Sequence, residues 1–196
     1  MRHTALVRAT HWINALSFLA LTVSGAAILV AHPRFYWGET GYFDTPAAFE
    51  RPLKVDLDQT GWGRNLHFLA AWIAVLNGIV YAAWGWLTGH FQHKFLPARA
   101  QPADSSGYNF LQRLAYLGVV FGLFPLVILS GLTLSPAVTA PYPALFALFG
   151  GRQSARTIHF FAANFLLDFL VIHVAMTIHS GFVKNVRSMF MSGVKT

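Results

Sequence analysis

Four stretches of this chain are almost free of charge, and each is long enough to cross a lipid bilayer. No Asp, Glu, Lys or Arg occurs between Arg8 and Arg34, between Arg64 and Lys94, or between Arg113 and Arg152. A fourth stretch, from Arg156 to Lys184, is interrupted only by Asp168. A helix needs about 20 predominantly apolar residues to span the hydrocarbon core, and every stretch can hold one. The third is too long for a single helix. Pro136, Pro141 and Pro143 break it, so its span ends near Leu134, and the segment from Pro143 to Phe149, closed by Gly150 and Gly151, reads as a short helix lying at the interface. Charged residues make up 11% of the 196, against about 25% in soluble domains. Too little charge remains to cover a soluble surface. The fold class is all-α integral membrane, a bundle of four transmembrane helices in one compact domain.

The net charge of +7 does not indicate nucleic-acid binding. The basic residues are spread over the ends of the apolar stretches, where anchoring and orientation account for them. With four spans and both termini on the cytoplasmic side, Arg2, Arg8, Lys94, Arg99, Arg113, Lys184, Arg187 and Lys195 are inside. Arg34, Arg51, Lys54, Arg64, Arg152 and Arg156 are then outside, a weak positive-inside bias. The absence of cysteine excludes disulfides, thiolate-held iron–sulfur clusters and covalent haem attachment. No cleavable signal is evident, because the first apolar stretch is span-length. The outer loop from His32 to Gly63 combines acidic residues with Phe35, Tyr36, Trp37, Tyr42, Phe43 and Phe49. It reads as an aromatic belt at the interface or as a docking surface for another subunit.

His11, His67, His159 and His173 lie in or at the edge of these stretches. A lone histidine there would read as a hydrogen-bonded core residue, but these four form a pattern. His159 and His173 are fourteen residues apart, which on a helix places them within about 40° of each other and about 21 Å apart. Depth pairs them with the other two. The first span runs outward and the second inward, so His67 matches His159 near the outer face, and His11 matches His173 near the inner face. Neutral imidazole is a strong axial ligand for haem iron. Two bis-histidine b-type haems at two depths are therefore expected. Arginine precedes histidine by three residues at Arg8, Arg64 and Arg156, which places each guanidinium beside its histidine on the water side. Each is an ordinary span-end anchor or a partner for a haem propionate.

Other residues serve as internal controls. His179 falls about 200° round the helix from His159, and His3, His32, His90 and His93 lie outside the spans. Asp168, about 180° from His159, faces away from the proposed haem stack. In the third span, Gly118, Gly122 and Pro125 predict close packing and a bend.

The opening Arg8, His11, Trp12, Asn14, continuing to Ser24 and Gly25, resembles the first helix of bacterial di-haem cytochromes b. Leu66, His67 and Phe68, continuing through Trp72 to Gly89 and His90, resembles the second. Ser154 to His159, with His173 beyond, resembles the last. The group is the cytochrome b561 type, found as membrane subunits of formate dehydrogenases, nickel–iron hydrogenases and thiosulfate reductases, and the resemblance covers essentially the whole chain, 1–196. It implies a transmembrane cytochrome b domain of the bacterial inner membrane, with His11, His67, His159 and His173 as haem ligands. It also implies electron transfer between a quinone and an extracytoplasmic redox partner, commonly a periplasmic molybdopterin oxidoreductase. A stand-alone enzyme resembling bacterial superoxide oxidase, which passes electrons from superoxide to quinone, is the alternative on the same fold. A haem-free transporter with histidine proton relays is a third reading.

Overall fold

In the computed structural model, residues 4–41, 45–50, 61–89 and 117–190 are described. They are almost entirely helical. Helix α1, Ala5–Ala31, begins where the Thr4 hydroxyl accepts the Val7 N–H at 3.3 Å, one of the orphan donors of a helix start. Helix α2 is Trp62–Leu87 and the long helix of the C-terminal half is Arg152–His179. These three are long and apolar enough to cross a membrane. Leu16, Leu19, Leu69, Leu76, Phe165 and Val171 stand exposed on their outer faces, as side chains facing lipid do.

The third apolar stretch is helical from Leu117, the first residue described there, to Leu134. It contains a π-helical turn, Val119–Leu123, and continues as α3, Phe124–Leu134. The Phe124 N–H reaches back to the Val119 carbonyl, one residue further than in an α-helix. Pro125 follows directly. Its ring has no N–H to give and crowds the preceding turn, which suits a widened turn at this point. The expected close packing at Gly118 and Gly122 is not found among the described residues, where a Cβ at either would meet nothing within 4 Å. Gly131, one helical segment later, makes the close approach instead. Helix α3 stops at Leu134 as expected. It is followed by α4, Pro136–Thr139, which the sequence reading had not assigned, and by α5, Leu145–Leu148, inside the expected interfacial segment. Gly150 and Gly151 both take positive φ. The long helix, α6, then runs over Arg152–His179, and α7 over Phe182–Phe190.

Among the described residues the helices associate chiefly as two pairs, α1 along α2 and α3 along α6. In the first pair a Cβ on Gly63 would stand 2.9 Å from the Ala27 Cβ, so the glycine sets the closeness of the crossing. Asn77, buried on α2, donates to the Thr10 carbonyl at 2.9 Å and to the Asn14 side-chain oxygen at 2.8 Å.

The described part of the loop between α1 and α2 has secondary structure of its own. Strands β1, Arg34–Phe35, and β2, Phe49–Glu50, pair antiparallel, with Arg34 and Glu50 in an ion pair at 3.3 Å. Phe35 and Tyr36 are buried. Thr157 donates to the Tyr36 carbonyl at 2.8 Å. The Gly38 carbonyl accepts the Gln153 and Ser154 N–H groups at the start of α6, and a Cβ on Gly151 would collide with the Gly38 backbone. The loop therefore caps α6 from outside. His3, His90 and His93, the basic residues Arg51, Lys54, Lys94, Arg99 and Arg113, and the connection between the second and third spans lie outside the described residues.

Candidate functional site

The two helix pairs each present one histidine to the space between them. His67 on α2 is held by α1: the Ser24 Oγ is 3.0 Å from its Nδ1, the Leu21 carbonyl also bonds the ring, and a Cβ on Gly25 would stand 3.6 Å from its Cε1. His159 on α6 is held by α3 in the same manner. The Ser130 Oγ is 3.1 Å and the Val127 carbonyl 3.0 Å from its Nδ1, and a Cβ on Gly131 would stand 3.1 Å from its Cε1. Both grips thus consist of a carbonyl, a serine three residues on, and the glycine that follows. The two imidazoles meet with centroids 6.1 Å apart and planes 70° apart.

That separation is chemically informative. Two metal–nitrogen bonds of about 2 Å, each continuing about 1 Å to a ring centre, place imidazole centroids about 6 Å apart across one ion. The Nδ1 atoms are engaged by the helices behind, which leaves Nε2 of each ring as the metal-facing nitrogen. Among the described residues no three His, Asp or Glu side chains converge. Two imidazoles alone suit the axial positions of a metal whose other ligands come from a macrocycle. The residues present therefore fit a haem.

His11 lies near the start of α1, edge-on to Trp12 with centroids 5.4 Å apart. His173 lies fourteen residues beyond His159 on the same unbroken helix and stacks on Phe169. The Trp12 indole N–H donates to the Met189 carbonyl at 3.3 Å and its ring meets Phe190 at 4.4 Å. This ties the start of α1 to α7, just past the end of α6, so His11 and His173 occupy the same end of the molecule. His179 and Asp168 are exposed, away from both sites, as their helical angles require.

Of the three arginines, Arg156 is half-buried and donates to the Arg34 carbonyl at 2.9 Å and to the His32 carbonyl. Its guanidinium also lies 4.8 Å from the Phe35 ring centre, a cation–π distance. It thus anchors the outer loop above the His67–His159 pair. Arg64 is exposed and Arg8 half-buried. His32 in the loop is pushed below its ordinary pKa, first by partial desolvation and then by Arg156 and Arg64, which places two guanidinium groups together at the outer end. The sequence reading had not assigned Ser130, Gly131, Leu21 or Val127 to the site. Ser24–Gly25 and Ser130–Gly131 are the same dipeptide on two apolar stretches, but Ser–Gly also recurs at Ser106, Ser180 and Ser192, so the dipeptide alone does not mark the site.

An imidazole pair spaced for one iron, set among membrane-length helices, defines a membrane cytochrome. The chain belongs to the prokaryotic cytochrome b561 family, which it matches over residues 2–192, and haem b is the cofactor that this family implies. Over 192 residues it is 32% identical to a protein of Azospira oryzae named "Putative protein-methionine-sulfoxide reductase subunit YedZ1", covering 89% of this chain and 88% of that one. No solved structure matches the chain.

Proposed function

We propose that this membrane cytochrome carries electrons between an extracytoplasmic redox partner and the quinone pool through two bis-histidine b haems. The approach of His67 and His159 to 6.1 Å is the observation that carries the reading. His67 and His159 hold the outer haem, and His11 and His173 the inner one. The third apolar stretch completes a four-helix bundle in the bacterial inner membrane, with both termini cytoplasmic. When bound, a b haem supplies reversible one-electron exchange at its iron.

The protein's part is positional. The helices fix each imidazole, exclude water from the iron, and set the two sites at different depths on α6. Arg64 and Arg156 at the outer end, and Arg8 at the inner end, provide cationic partners for propionates. A quinone, which needs an apolar slot with a few polar groups, exchanges near the inner site between the ends of α1 and α6. The partner docks on the outer loop and the α4–α5 segment. The relative's name, a reductase subunit, supports a membrane role beside a separate reductase, and a molybdopterin oxidoreductase is the partner we favour.

Haem analysis tests this directly. The purified protein is expected to carry two b haems per chain by pyridine haemochrome. His67→Ala and His159→Ala should each remove the same haem, and His11→Ala and His173→Ala the other, with His179→Ala leaving both. A folded, colourless preparation would end the proposal, as would loss of different haems from His67→Ala and His159→Ala.

A further inference from the structure

The duplicated grip on His67 and His159 does more than fill space, because hydrogen-bond valence fixes which ring nitrogen carries the proton. Each serine has one hydroxyl hydrogen. In Ser24 it is directed to the Ala20 carbonyl, 2.7 Å from Oγ, with the Leu21 carbonyl further off at 3.2 Å. In Ser130 the corresponding distances are 2.6 Å to Leu126 and 3.2 Å to Val127. This back-bonding to the carbonyl four residues earlier is the usual choice of a serine inside a helix. With its hydrogen committed there, each serine can only accept from imidazole. The carbonyl that shares the same ring, Leu21 for His67 and Val127 for His159, has no hydrogen to give at all. Both neighbours of the His159 Nδ1 are therefore acceptors, as is the serine oxygen at the His67 Nδ1, and the proton must reside on Nδ1 in each ring.

We infer that Ser24 with the Leu21 carbonyl, and Ser130 with the Val127 carbonyl, are matched positioning groups. They lock His67 and His159 in the Nδ1–H tautomer and hold the two rings near-perpendicular for iron ligation through Nε2. The inference rests on the proposed ligation of haem by this pair. An imidazole that donates from Nδ1 is a more basic ligand, and a more basic axial ligand favours ferric iron. The device thus lowers the potential of the outer haem relative to the same site without it. It acts from helices α1 and α3, neither of which contributes a ligand to that haem. Each helix pair is in this way made from a ligand helix and a helix that aims the ligand.

The grip has a geometric side as well. Gly25 and Gly131 sit beside the Cε1 edge of the ring that the preceding serine holds. A Cβ at Gly131 would press on the His159 ring, whereas one at Gly25 would reach only ordinary contact with His67. Serine sets the hydrogen bond and glycine clears the space, so the dipeptide works as one unit on each helix.

The test uses Ser24→Ala, Ser130→Ala and the double variant, with Ser24→Thr and Ser130→Thr as hydroxyl-retaining controls. In the haem-loaded protein, the alanine variants should change the low-spin electron paramagnetic resonance signal of one haem. They should raise that haem's midpoint potential and speed its loss to apomyoglobin by about 10–100-fold. The other haem should be unaffected, and threonine should restore each property. A signal, potential and loss rate matching the parent in the double variant would overturn the inference. Nitrogen-15 spectra of histidine-labelled, haem-free protein read the tautomer without iron. Protonated Nδ1 is expected in both rings, and protonated Nε2 in either would overturn the inference. A parent protein that binds no haem yet shows the Nδ1–H tautomers would refute the proposed cofactor while leaving the positioning of the rings demonstrated.

Discussion

The two glycines beside the histidines are not equivalent, and their difference can be measured. A methyl group on Gly131 would stand 3.1 Å from the His159 ring, tighter than ordinary contact, whereas on Gly25 it would stand 3.6 Å from His67. Under the proposed ligation, Gly131→Ala should displace its imidazole and weaken retention of the outer haem by about tenfold. Gly25→Ala should be tolerated, and equal haem retention in the two variants would contradict the geometry. His32 offers a pH test with a defined sign. Its folded pKa lies below the ordinary value, first through partial desolvation and then through Arg156 and Arg64. The unlocked loop therefore binds a proton that the docked loop does not. Docking is at full strength above about pH 6.5 and weakens as pH falls from there toward the lowered value. Hydrogen exchange in the β1–β2 segment should accelerate over that range, and His32→Gln should remove the step. At this scale the meeting of His67 and His159 was legible in the sequence, because depth follows from counting. The serine–carbonyl grips were not, because they depend on which helix lies beside which.

Between elements, polar bonds across helices do what apolar contact cannot do in lipid. Hydrocarbon side chains gain little by leaving hydrocarbon for one another, so shape and hydrogen bonds decide pairing. Asn77 joins α2 to two acceptors on α1. Asn77→Ala should reduce stability by about 1–2 kcal/mol, read as a lower unfolding midpoint in detergent. An unchanged midpoint would mean that Gly63 against Ala27 sets this pair alone. The element boundaries show which signals were readable. The charge-free stretches gave three helices of spanning length, and proline placed the end of α3 at Leu134. In the third stretch Gly118 and Gly122 were expected to pack closely, yet among the described residues the close approach is at Gly131. A glycine reports that close approach is possible, but only the neighbouring helix determines whether it occurs. The β1–β2 pairing and the capping of α6 by Gly38 were likewise hidden, since they join residues more than a hundred positions apart or on two arms of one loop.

At the scale of the molecule, the described helices form two pairs whose tightest contacts lie within each pair rather than between them. At the outer end they are linked by the loop, through Arg156 to the His32 and Arg34 carbonyls, Thr157 to Tyr36, and Ser154 to Gly38. At the inner end Trp12 reaches Met189. Between these clasps, each pair offers one histidine from α2 or α6 toward the other. Membership of the family was legible because the motifs that carry the resemblance are spread through nearly the whole chain, while the partner and its substrate leave no comparable mark on these helices. The consequence concerns biogenesis. Under the proposed ligation, a ligand pair drawn one from each half makes the prosthetic group a rivet, and the chain's maturation then has two stages: insertion of hairpins into the bilayer, followed by their fastening. Binding to the fastened form stabilises it by mass action, so cells starved of haem should accumulate a loosened intermediate that membrane proteases clear. Pulse-chase labelling with and without a haem precursor would measure this as a shorter half-life for the starved chain. An unchanged half-life would show that the clasps alone complete assembly. Supply of the cofactor would then set how much of this cytochrome a membrane contains, before any electron has passed through it.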